Sequence, residues 1–114
     1  MSSGGLALSE YRGVWLFAMF DLPVTDPEAR RRYTQFRNLL LKQGFEMMQF
    51  SVYARYFPSE EASQTHRQRI KKGLPPSGHV RLLSVTDKQF GKMQIFYGKK
   101  QKPTEDPPDQ LLLF

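Results

Sequence analysis

The chain has 114 residues, 39% of them hydrophobic, with nine Phe, five Tyr and one Trp, which suits one ordinary domain and is too short for two. It has no cysteine, so disulfides and thiolate metal sites are excluded, and no apolar run approaches the roughly 20 residues that cross a bilayer. Seventeen Lys and Arg against eleven Asp and Glu leave a net charge of +6, which makes a polyanion such as nucleic acid the expected partner.

Residues 1–11 read as an N-terminal extension. The first nine carry no basic residue and too short an apolar stretch for a signal peptide, so a reducing cytoplasm is the expected compartment. The uncharged run Gly13 to Phe20 then reads as a strand buried on both faces, because a half-exposed strand would alternate apolar with polar. Asp21 is the first charge at its end, and Pro23 cannot donate to a ladder, so the carboxylate falls at a rim where strand meets loop. An aspartate there either ends the strand by capping or serves a site.

Asp26, Pro27 and Glu28 form a helix start, and Ala29, Tyr33, Phe36 and Leu40 form one apolar stripe, with Arg31, Arg32, Asn38 and Lys42 away from it. Gly44 closes this helix as the left-handed residue past its end. Phe45 to Phe57 reads as two strands or one bent by a bulge, with Phe50, Val52 and Ala54 on one face and Ser51, Tyr53 and Arg55 on the other. Ser59, Glu60 and Glu61 open a second helix, Lys71, Lys72 and Gly73 close it, and its core stripe is thin: Ala62, His66 and Ile70. His79 to Thr86 is strand-like, Asp87-Lys88 marks a turn, and Met93 to Gly98 is a further strand.

The order implies an α+β, ferredoxin-like βαββαβ sandwich over residues 12–98, with an antiparallel sheet carrying two helices on one face. Residues 99–109 read as a charged, proline-rich linker. The apolar Leu111, Leu112, Leu113 and Phe114 then suggest an extra C-terminal strand, 110–114, docking on the sheet or on a partner subunit.

The basic excess gathers in Arg30-Arg31-Arg32, in Arg67 to Lys72 and in Lys99 to Lys102, each either a solvated face or a phosphate-binding one. Arg30, Arg31, Arg32, Arg37, Arg55, Arg67, Lys71, Lys72, Lys99 and Lys100 are the candidate nucleic-acid contacts. Neither His66 nor His79 has a His or carboxylate at ligand spacing, and no glycine-rich phosphate loop or Ser-His-Asp pattern is present.

Phe20-Asp21-Leu22-Pro23 after a buried first strand, Gln49-Phe50-Ser51-Val52-Tyr53 after a helix ending in glycine, and Met93 to Gly98 together resemble the CRISPR-associated adaptation proteins called Cas-two, over roughly Gly13 to Gly98. The first two motifs are most similar to members from type II systems. The resemblance implies a ferredoxin-like homodimer whose last strand crosses to the partner, and which bridges dimers of the Cas-one integrase on duplex DNA during spacer acquisition. It also implies metal-dependent endonuclease activity on RNA or DNA, with Asp21 as the catalytic residue and ligand of Mg²⁺, and Tyr53 and residues Leu111 to Phe114 as dimer or partner contacts. The longer N-terminal extension departs from the family pattern. A single Asp21 is too little for a tight Mg²⁺ site, whereas two copies related by a two-fold axis supply a pair. Three readings stay open: a non-catalytic DNA-binding scaffold, a metal-dependent phosphodiesterase, and an unrelated ferredoxin-like binding or toxin ribonuclease module.

Overall fold

The computed structural model describes residues 13–106. Strand β1 (Val14–Asp21) leads to helix α1 (Pro27–Lys42), then to β2 (Glu46–Gln49) and β3 (Val52–Phe57). A 3₁₀ turn (Glu61–Ser63) runs into α2 (Gln64–Lys72), followed by β4 (His79–Thr86) and a short α3 (Asp87–Gly91). The four strands form one antiparallel sheet in the order β2-β3-β1-β4. Two helices on one face of this sheet complete the expected ferredoxin-like α+β arrangement.

Alternation along β1 sorts its side chains onto the two faces. Val14, Leu16, Ala18 and Phe20 point to the helices and join Phe36, Leu40, Tyr53, Phe57 and Ile70 in the larger core cluster. Full burial of each large apolar side chain contributes about 1.5–3 kcal/mol, so this cluster dominates the stability of the fold. Trp15 and Phe17 point the other way, where a smaller cluster of Trp15, Ala54 and Phe90 covers only one end of the sheet. Phe17 and Met19 are half-buried, so among the described residues β1 is sealed on the helix face and only partly on the other.

Local chemistry explains the boundaries. The Asp26 carboxylate accepts the Ala29 N–H at 2.8 Å with Pro27 in the first turn, and Gly44, at φ +81°, lets the chain turn back into β2. Strands β2 and β3 are joined through Phe50 and Ser51, with a register shift between Met47 and Gln49. Phe50 thus sits in the turn, 82% exposed, and leaves the strand face on which alternation had placed it. In the second helical segment the buried positions are Ser63 and Ile70, while Ala62 is exposed.

Two C-terminal expectations change. Asp87 and Lys88 open α3 in place of a turn, because Thr86 and Gln89 form a reciprocal capping box and Phe90 stacks on Trp15 with ring centres 3.9 Å apart. Strand β5 (Ile95–Tyr97) stays apart from the main sheet and pairs with β6 (Lys100–Lys102), so the stretch read as a linker begins as a strand. Leu111 to Phe114 and residues 1–12 lie outside the described residues.

Candidate active site on the uncovered sheet face

Asp21 is the last residue of β1, exposed, and on the face away from α1 and α2. Antiparallel register sets it opposite His79, and Met19 opposite Arg81. These residues line a shallow depression of about 200 Å³. Below Asp21 the chain is anchored by Leu22, which is buried. Gly78, at φ +92°, approaches so closely that a β-carbon there would lie 2.7 Å from the Asp21 carbonyl oxygen, so only glycine lets β4 start this close to the rim.

The β2–β3 turn completes the rim. The Ser51 carbonyl accepts the Phe20 N–H at 3.1 Å, Ser51 itself adopts φ 64°, and its hydroxyl lies 3.0 Å from that of Tyr33. A non-glycine residue in the left-handed region is strained and stays there only because such contacts hold it. Phe50 stacks on Tyr33 with ring centres 6.1 Å apart. Among the described residues, no three His, Asp or Glu side chains gather as a metal centre. One chain therefore offers Mg²⁺ a single carboxylate at this rim, a partial fit for a cation that takes one or two carboxylates and keeps water.

Beyond the rim, half-buried Phe17 and Met19 on β1 lie opposite Leu83 and Arg81 on β4, and Leu83 is 49% exposed. The uncovered face is thus apolar along its middle and ionisable at the Asp21 end. Neither Leu83 nor His79 was singled out from the sequence as a neighbour of the site. The signal was present in Leu82-Leu83, an adjacent apolar pair that places one leucine on each face.

The candidate phosphate contacts divide into three groups. Lys71, Lys72, Lys99 and Lys100 are exposed. Arg30 donates to the Val24 carbonyl at 3.2 Å, while Arg31 and Arg32 share Glu28 at 2.5 and 3.4 Å. The hydrogen bond from Arg31 holds the Glu28 carboxyl below its usual range. Three other arginines are engaged internally. Arg37 donates to the Tyr53 hydroxyl at 3.0 Å, and Arg67 is paired with Glu60 at 2.7 Å and bonded to Ser63 and Ser84. Arg55 donates to the Gln43 carbonyl at 2.6 Å and lies over the Phe57 ring at 4.6 Å. Tyr53, expected at a partner contact, is 1% exposed and packs in the chain's own core, because β3 turns that side chain toward the helices.

His66 bridges two of these groups, with Nδ1 3.2 Å from Gln43 Oε1 and Nε2 3.2 Å from the Arg55 guanidinium. The same guanidinium nitrogen lies 3.4 Å from Nδ1, and since arginine can only donate, one ring nitrogen accepts from it and the ring is neutral. Burial, with Arg55 and Arg69 nearby, holds its pKa below the usual value.

The four-stranded sheet with both longer helices on one face and a rim aspartate on the other defines a ferredoxin-like α+β protein. The family described as CRISPR associated protein Cas2 matches residues 14–93, and the chain belongs to it. Similar proteins include the CRISPR-associated endoribonuclease Cas2 of Parvibaculum lavamentivorans, 48% identical over 89% of this chain and 100% of the relative. Those of Flavobacterium psychrophilum, 44% identical over 94% and 93%, and Paracidovorax avenae, 41% identical over 94% and 99%, carry the same name.

Proposed function

We propose that this protein works as a cytoplasmic homodimer that binds nucleic acid in CRISPR spacer acquisition, and that its two Asp21 carboxylates together support metal-dependent cleavage of phosphodiesters. The observation that carries the reading is the position of Asp21, exposed at the open end of a sheet face whose middle is apolar. A second copy laid on that face by a two-fold axis buries Phe17, Met19 and Leu83 and doubles the carboxylate. Two carboxylates with phosphate oxygens suit Mg²⁺, and the bound ion would neutralise phosphate charge and make a water more acidic. Arg81 supplies a fixed positive charge beside the phosphate, and Phe50 is an exposed ring on which a base can stack.

The names of the relatives favour RNA as the substrate. Duplex DNA and the Cas-one integrase enter through the family resemblance, with the exposed Lys71, Lys72, Lys99 and Lys100 as the contacts best able to reach a backbone. Asp21→Asn keeps the shape and removes the charge. It should abolish Mg²⁺-dependent cleavage of RNA or DNA while leaving the melting temperature and dimer mass unchanged. Cleavage that survives this change, or wild-type protein freed of contaminating nucleases that cleaves nothing across divalent ions, removes the enzyme reading. A purely structural role is favoured by the single carboxylate per chain. In that reading Asp21→Asn still supports integrase-dependent acquisition in cells.

A further inference from the structure

Six residues before Asp21 along β1, about 20 Å away at ~3.3 Å per residue, Trp15 lines an open cleft of about 620 Å³. Three cations line it from separate elements: Lys42 in the last turn of α1, Arg55 on β3 and Arg69 on α2. Glu46 and Asp106 also line it, so cations outnumber carboxylates. The ion pairs among the described residues join Glu28 to Arg31 and Arg32, and Glu60 to Arg67, and none of them involves a cleft cation. Arg55 is half-buried, and its partners are a carbonyl, a neutral imidazole and the face of Phe57, none of them an anion.

A guanidinium partly withdrawn from water and with no carboxylate among its contacts gains from an anion that arrives from outside. Burial indeed lowers the pKa of Arg55. The cleft has the volume of a small-ligand site, and Tyr56 adds an aromatic wall. We propose that this cleft is a binding site for a phosphate monoester, either a free nucleotide or the terminal phosphate of a nucleic-acid strand. A monoester carries about −1.5 to −2 charge and three strong acceptor oxygens, against the single charge of a backbone diester, and so suits cations arriving from three directions. The site is separate from Asp21 and does not depend on its chemistry.

The test uses the intact protein, isothermal calorimetry, AMP, and a short oligonucleotide carrying either a 5′-phosphate or a 5′-hydroxyl. Wild type should bind AMP, or prefer the 5′-phosphorylated strand, and the two results distinguish free nucleotide from strand end. Arg69→Gln and Lys42→Gln, both at exposed positions, should each weaken that binding about tenfold, the scale of one hydrogen bond to a charged group, with little change in melting temperature. Arg55 is left intact because it also ties β3 to Gln43. Absence of AMP binding together with equal affinity for the two strands overturns the proposal, as does binding that neither substitution weakens.

Discussion

Leu83→Glu places a charge in the middle of the uncovered sheet face. Leu83 lies opposite Phe17 and keeps 49% of its surface exposed in the single chain, so the substitution should cost the isolated fold less than about 1 kcal/mol. In a face-to-face dimer the remaining half of each leucine is covered, a contribution of about 1 kcal/mol per copy, or about 2 kcal/mol for the pair. The variant loses this and must also bury two like charges near one axis, which adds at least about 2 kcal/mol more. A total of about 4 kcal/mol corresponds to roughly a 10³-fold weaker dimer. Light scattering at micromolar concentration should give a dimer mass for wild type and a monomer mass for Leu83→Glu, with the same far-ultraviolet circular dichroism and a melting temperature lowered only by the lost association. Equal masses for the two proteins would refute the assignment of this face.

Replacing Arg30, Arg31 and Arg32 together by Ala should flatten the salt dependence of duplex binding by about two units, since Arg31 and Arg32 share Glu28, whereas an unchanged slope would assign the cluster to a solvated face. His66 titrates below its usual value of 6.5, so the unfolded chain binds the extra proton first as pH falls. Stability is complete above that value, declines as pH drops through it, and levels off below the folded value; His66→Gln should remove this component from urea midpoints measured between pH 8 and pH 5. Gly78→Ala combines φ +92° with a β-carbon against the Asp21 carbonyl, and should cost about 1–3 kcal/mol in denaturant unfolding.

The elements with complete local signals were legible in the sequence. β4 was bounded from His79 to Thr86 by its apolar content, and α1 by Asp26 and Gly44. The β2–β3 turn was hidden because its left-handed residue is Ser51, which gives none of the warning a glycine would. Thr86 and Gln89 carried a readable capping box, but a five-residue helix with one buried side chain, Phe90, has too little periodicity to show. No local pattern tells β5 to pair with β6 instead of joining the main sheet.

At the site, the position of Asp21 followed from Pro23 and the end of the apolar run. The internal roles of Arg37 and Arg55 did not, because their partners Tyr53 and Gln43 are distant in sequence, and Arg67 adds distant Ser84 to its near neighbours Glu60 and Ser63 only in the folded chain. Alternation put Tyr53 on a face but could not say that the chain's own helices cover it.

The unequal size of the two apolar clusters has a consequence for motion. The helix-side cluster ties three strands to both longer helices, whereas the opposite one rests on Trp15, Ala54 and one buried apolar side chain, Phe90, from a five-residue helix. Opening of α3 therefore requires much less free energy than global unfolding, and its amides should exchange with solvent well before those of β1. The chain's one tryptophan stands at that seam, 2% exposed and bonded through Nε1 to Asp87 at 2.9 Å, so its emission reports the breathing of the lesser layer while the main fold stays closed.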